Sequence, residues 1–226
     1  MEKISEIEKF YYSEIDDELL QYTNYFSRGV ISDIPRNIFE EDKYIPLREY
    51  AIYHMGFSVV TKKNCYELKK IIKSEKVLEI MCGVGSYTAT LRDCGIDVIA
   101  TDNMSWVDGE DKKYKDWKKY TWISDIEKID AISAIIKYGK SVGFILMSWP
   151  PQYEDVALEA LLTMRYINPE CKMIYIGEWM GGCTANDKFF ENAIDISKKY
   201  INTSNFKSTY RAWHNDSYYD EQYIII

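Results

Sequence analysis

The chain has 226 residues, 46% of them hydrophobic, a formal net charge of −8 and a pI near 5.0. That is enough apolar material for a large domain with its own core, while an acidic balance disfavours unspecific nucleic-acid binding, which needs a basic surface. Five cysteines without a Cys-x-x-Cys pair, and only the two histidines His54 and His214, argue against a disulfide framework, a zinc site or a multi-histidine metal centre. No apolar run approaches membrane-spanning length and the start is acidic, so a soluble, intracellular protein of the cytoplasm is expected.

Residues 1–27 read as an amphipathic helix, with Ile4, Ile7, Tyr11, Ile15, Leu19 and Tyr22 at three- or four-residue spacing. Residues 30–45 look irregular. Pro46 suits the first turn of a helix that runs through His54 and stops at Gly56. Residues 57–61 look extended, and Asn64-x-x-Glu67 has the capping-box pattern for a helix with Leu68, Ile71 and Ile72 facing inward. Residues 1–60 are therefore expected to form a helical N-terminal extension packed on a domain of residues 61–226.

Residues 76–102 carry the strongest signal. Val77, Leu78 and Ile80 suit a strand covered on both faces. Gly83 and Gly85 allow a backbone turn close to a ligand, and Ser86 is placed to cap the helix that follows. Val98, Ile99 and Ala100 give a second buried strand, ended by Asp102. A carboxylate about twenty residues past a glycine turn is where a βαβ nucleotide-binding unit meets ribose hydroxyls. Asn103 through Trp106 form a loop just beyond that acid.

The run from Lys112 to Trp122 interleaves lysines with aromatic rings. It reads either as a solvated loop with rings packed beneath it or as a surface for a single-stranded nucleic acid. Residues 122–125 suggest a short strand ending in Asp125, which suits a helix cap. The next helix carries Ile129, Ile132, Ile135 and Ile136 on one side and stops at Gly139. Residues 142–147 form a buried strand that ends in Ser148-Trp149-Pro150-Pro151, a sharp turn at the strand end where open α/β sheets bind ligands. A helix over residues 154–165, a strand over 173–176 and a helix from Thr184 or Asn186 to about Tyr200 follow. The tyrosine-rich stretches 205–213 and 217–226 suggest an antiparallel pair closing the sheet.

The stretch beginning at Glu79 resembles the first motif of the class I S-adenosylmethionine (SAM)-dependent methyltransferases, [Glu/Asp]-x-Gly-x-Gly-x-Gly. Glu79 opens it, Gly83 and Gly85 are its second and third glycines, and Met81 stands in place of the first. Ser148-Trp149-Pro150-Pro151 is similar to the [Asn/Asp/Ser]-Pro-Pro-[Tyr/Phe] motif of amino-directed members, with Gln152 at the aromatic position and Tyr153 one residue late. From Tyr44 onward the chain is similar to a group of methyltransferases of unassigned substrate. The resemblance implies a Rossmann-like class I methyltransferase fold, an α/β domain with a mostly parallel sheet and one antiparallel strand. It implies SAM as cofactor, with contacts from Glu79, Met81, Gly83, Gly85, Asp102, Asn103, Asp125 (toward the adenine amino group) and Ser148. Tyr44, Arg48, Tyr50 and Tyr53, in the segment that folds back over the ligand in several members, become candidates for lining the site.

Trp149 is the candidate substrate wall. Glu178 could bind an amine, act as general base, or cap the backbone amides around Gly181 and Gly182. His214 with Asp216 forms a possible base-and-orienter pair. The expected activity is methyl transfer from SAM to a nitrogen or oxygen acceptor, a small molecule or protein side chain ahead of nucleic acid. A catalytically degenerate SAM-binding module, or a nucleic-acid amino-methyltransferase using the Lys112–Trp122 run, are the alternatives. The partners are then SAM and a methyl acceptor, with no membrane.

Overall fold

The computed structural model describes residues 15–27, 29, 31–108, 121–213 and 220–226. Six strands form one sheet: β1 (Val77–Ile80), β2 (Val98–Asp102), β3 (Glu127–Lys128), β4 (Phe144–Ser148), β5 (Lys172–Glu178) and β6 (Asp220–Ile225). Their order is β3-β2-β1-β4-β5-β6; all neighbours run parallel except β5 and β6. Helices α1 (Pro46–Met55), α2 (Lys62–Ile72), α3 (Ser86–Asp93), α4 (Ala131–Tyr138), α5 (Val156–Ile167), α6 (Asp187–Asn192) and α7 (Phe206–Thr209) cover it.

The period-2 alternation of the central strands sorts their side chains onto two faces. Leu78, Ile80, Ile145, Met147, Met173 and Tyr175 pack in one apolar cluster with residues of α4, α5 and α6. Val77, Val98, Phe144, Leu146, Ile174 and Ile176 pack in the other, with residues of α1, α2 and α3 and with Phe26, Ile38 and Phe39 from further upstream. Both faces of the parallel strands are thus buried, the reason these strands read as continuous apolar runs.

Several elements depart from the sequence expectation. Residues 20–26 form a 3₁₀ helix, and residues 1–14 of the expected N-terminal helix lie outside the described residues. Thr61, not Asn64, caps α2, accepting the Asn64 amide at 3.3 Å. The Asn64 side chain is buried and donates to the Phe206 carbonyl (2.8 Å) and to Gln222 Oε1 (3.0 Å). The third strand lies at Glu127–Lys128 rather than at 122–125, and Asp130 caps α4. In α4 the buried positions are Ala131, Ala134 and Ile135, and Ile136 is exposed. The helix after Asn186 stops at Asn192 because the next residues join the sheet: the Ile194 and Ile196 amides donate to the Ile226 and Ile224 carbonyls. The expected terminal hairpin is replaced by the short helix α7 and by β6, whose antiparallel partner is β5.

Candidate functional site

At the carboxyl ends of β1, β2 and β4 lies a cavity of about 550 Å³. It sits where an open α/β sheet binds its ligand, at the reversal of strand order between β1 and β4. Met55 at the end of α1 and Gly56, Phe57 and Ser58 in the α1–α2 connection enter it. The aromatic residues expected there, Tyr44, Tyr50 and Tyr53, are instead buried in the core. Glu79, Met81, Gly83, Asp102 and Asn103 line it from the strand ends, Asp130 and Ile132 from the start of α4, and Ser148 and Trp149 from the end of β4.

The turn after β1 explains much of this geometry. Met81 takes a left-handed backbone conformation, φ 53°, where the family pattern has glycine. Gly83 follows at φ 54°, with no heavy atom within 4 Å of where a Cβ would stand. Its amide donates to Asp102 Oδ2 at 2.8 Å, tying the turn to the end of β2. Gly85 lies outside the cavity lining. A Cβ there would meet Ile123 Cγ1 at 2.8 Å, so this glycine serves close packing behind the turn. Ser86 opens α3 without capping it and donates to the Met55 carbonyl at 2.6 Å, fastening the end of α1 and the α1–α2 connection beside the site.

Asp102 is held from three sides. Besides the Gly83 amide it accepts the Met104 amide (2.6 Å) and Trp106 Nε1 (2.9 Å) on Oδ1. Burial raises its carboxyl above the usual range, and these three bonds oppose the rise. A carboxylate has about four acceptor positions, so one on Oδ2 is left for a ligand hydroxyl. Glu79 is more deeply buried and accepts a short bond from the Thr88 hydroxyl. Desolvation pushes its carboxyl up to about 7, with Asp102 as a smaller contributor in the same direction.

Ser148 and Trp149 form the wall opposite. Ser148 Oγ and Ser58 Oγ are hydrogen-bonded at 2.5 Å. Trp149 takes a left-handed φ of 51°, a costly conformation for a bulky residue. Its ring stacks on Phe57 (centroids 5.3 Å, 15° between planes), and its Nε1 donates to Asp220 Oδ2 at 3.0 Å. Gln152, at the motif's aromatic position, donates to the Gly182 carbonyl at 2.6 Å.

Other expected site residues lie elsewhere. Asp125 is exposed and pairs with Arg92 at 2.8 Å, away from the cavity; the guanidinium holds its carboxyl below the usual range. The acid that reaches the cavity on this side is Asp130. Its signal was legible as an Asp cap preceding the apolar run of α4. Glu178 is buried and turned into the following loop, where it accepts a short bond from the Cys183 amide. That is the loop-capping alternative. His214 and Asp216, and residues 112–120 of the basic aromatic run, lie outside the described residues. Trp122 is described, and it donates from Nε1 to the His54 carbonyl at 2.7 Å, bracing the connection over the site.

The charge of the cavity is one-sided. Glu79, Asp102, Asp130, Glu154, Asp155 and Glu159 line it, and among the described residues no lysine, arginine or histidine does. Such a wall suits a ligand with positive charge and disfavours a pyrophosphate or polyphosphate.

The strand order, the single reversed strand and the glycine turn after β1 make this a Rossmann-like α/β fold. No protein-family model matches the chain. No curated protein matches it either. Among solved structures it is similar to the mitomycin 7-O-methyltransferase MmcR, at 12% identity and a TM-score of 0.44, over 98% of this chain and 68% of that one. It is also similar to the PH0226 protein of Pyrococcus horikoshii OT3, at 16% identity and a TM-score of 0.39, over 70% and 84% of the two chains. TehB of Haemophilus influenzae is a third, at 14% identity and a TM-score of 0.42, over 79% and 66%. No helix among the described residues is long and apolar enough to cross a membrane.

Proposed function

We propose that the protein is a SAM-dependent methyltransferase whose cofactor occupies the acidic cavity and whose acceptor is a nitrogen or oxygen nucleophile. The observation that carries this reading is the lining: six acidic side chains, of which Glu79 is pushed by burial up to about 7 and Asp155 pairs with Lys188, and, among the described residues, no cation in the lining itself, around a nucleotide-type glycine turn. SAM bears a sulfonium and an ammonium and no phosphate, so it fits a wall that would repel a dinucleotide. When bound, it supplies the activated methyl group.

The chain's own residues do the rest. Asp102 receives a ribose hydroxyl on the free position of Oδ2, while Gly83 presents backbone with no side chain in the way. Asp130 and Asn103 flank the adenine side, with Ile132 and Trp106 as apolar walls. Ser58, Ser148 and the stacked Phe57–Trp149 pair close the opposite end, exclude water and orient the acceptor. Glu79 lies beneath the turn and supports it through Thr88.

Calorimetric titration with SAM, with S-adenosylhomocysteine and with NAD⁺ tests this. Both sulfur ligands are expected to bind and NAD⁺ is not. No heat from S-adenosylhomocysteine at millimolar concentration would overturn the reading. Tight cofactor binding with no labelled methyl product on any amine, alcohol or protein acceptor would leave a binding module in place of an enzyme.

A further inference from the structure

Residues 56–58, between α1 and α2, border the cofactor cavity, and side chains fasten them to the end of β4. Phe57 stacks on Trp149, and Ser58 is hydrogen-bonded to Ser148. The flanking residues are held through their backbone: the His54 and Met55 carbonyls accept Trp122 Nε1 and the Ser86 hydroxyl, and Val59 bridges to Arg211. The stack on Phe57 therefore depends on where the Trp149 ring stands. Asp220, the first residue of β6, fixes that ring: its Oδ2 accepts Trp149 Nε1 at 3.0 Å, although Asp220 itself lies outside the cavity lining.

Both members of this bond are held at a cost. Trp149 has φ 51°, and its amide donates to the Ile176 carbonyl at 2.8 Å, so its backbone is pinned in the left-handed region. Asp220 is 6% exposed. Burial raises its carboxyl to about 7, against the bond from Trp149, which lowers it. An indole nitrogen only donates, so an acceptor must face it. A hydrophobic residue at 220 would be buried at lower cost but would leave the ring unheld. Backbone strain and a buried acid converging on one ring at a cavity wall point to a position set by function rather than by packing.

We propose that Asp220 is a positioning residue of the cofactor cavity: by fixing the Trp149 indole it fixes Phe57, and so keeps residues 56–58 closed against the bound ligand. The proposal rests on the methyltransferase reading above. Asp220 acts through the Trp149–Phe57 stack and not by touching the ligand. Its effect is therefore kinetic. Loosening residues 56–58 lets the ligand leave sooner, so the loss falls on the dissociation rate, while the glycine turn and Asp102 across the cavity keep their own contacts.

The test is the dissociation rate of S-adenosylhomocysteine from the immobilised full chain, by surface plasmon resonance, in the parent, Asp220→Leu, Asp220→Asn, Trp149→Phe and the double variant Trp149→Phe/Asp220→Leu. Asp220→Leu and Trp149→Phe each remove one side of the same bond, and each is expected to speed dissociation by roughly three- to tenfold, the scale of one neutral hydrogen bond. Asp220→Asn still offers an oxygen to the indole and is expected to restore a rate near the parent's. The double variant is expected to dissociate no faster than the faster single one, because both changes break one contact. A merely structural role at the start of β6 would not depend on the indole N–H. Rates that multiply in the double variant, an Asp220→Asn rate closer to the leucine variant's than to the parent's, or rates unchanged throughout overturn the positioning role alone. Failure of the parent to bind S-adenosylhomocysteine overturns the reading beneath it as well. Should Asp220→Leu not fold, Trp149→Phe and Phe57→Leu probe the same stack: a rise of about threefold or more in both supports the role, and any lesser effect in either overturns it.

Discussion

Asp102 is a single side chain with several obligations. It closes the glycine turn through the Gly83 amide, fixes Met104 and Trp106, and keeps one acceptor position open toward the cavity. Asp102→Ala is therefore expected to cost about 1–3 kcal/mol of SAM affinity, the scale of charge-assisted hydrogen bonds, measured by calorimetry on protein shown to be folded. Glu79 makes the opposite kind of contribution. Its folded carboxyl sits near 7 against an unfolded value of 4.5, so the folded state holds a proton that the unfolded state releases. The stability contributed by this group is present below about 4.5 and is lost as pH rises toward 7. Asp220 acts in the same direction. Glu79→Gln keeps an acceptor for Thr88 and removes the titration. It is expected to flatten the fall in stability between pH 5 and 8, by roughly 2–3 kcal/mol, in urea melts across that range. A slope identical to the parent's would show that Glu79 does not carry it.

At the scale of elements, the turn between β1 and α3 is a packing joint as much as a ligand cradle. Gly85 has φ 77° and its missing Cβ leaves room for Ile123. Gly85→Ala is expected to destabilise the fold by about 1–3 kcal/mol, read from the denaturation midpoint. Ile123→Ala in the same chain should relieve the steric share of that loss and leave the backbone share. A double mutant no better than the sum of the single ones would show that Ile123 is not what the glycine accommodates. The two prolines after β4 belong to this scale too. They end the strand at the cavity mouth, and the Pro150 carbonyl accepts the Ala185 amide at 3.0 Å, which joins the β4 turn to the loop after β5.

At the scale of the whole molecule, the acidic cavity and the net charge of −8 act together: both raise the local concentration of a cationic ligand and lower that of an anionic one. A ligand that binds only the folded chain stabilises it by about 2.7 kcal/mol at one hundred times its dissociation constant. SAM is thus expected to raise the melting temperature measurably in a scanning fluorescence experiment, and added salt to reduce the shift. A melting temperature indifferent to SAM would count against the cavity as its site.

The sheet was legible in the sequence because parallel strands covered on both faces must be apolar throughout, as Val77, Leu78, Ile145 and Ile174 are. The glycine turn and Asp102 were legible for a similarly local reason, since backbone conformation and strand length place them. Contacts between residues far apart in the chain were not. Asp125 precedes β3 and Asp130 follows it, so placing that strand at Glu127–Lys128, parallel to β2, puts Asp130 and not Asp125 at the carboxyl end where the cavity lies. Glu178 stands at a strand end, yet the close approach of Gly182 and the Cys183 amide turn it away from the cavity. Asp220 carried no local signal at all: its burial and its bond to Trp149 arise from pairing β6 with β5 across the chain. Local sequence determines which segments are strands, helices and turns. Register and long-range burial decide which side chains meet, because those depend on surfaces that exist only once the sheet has closed.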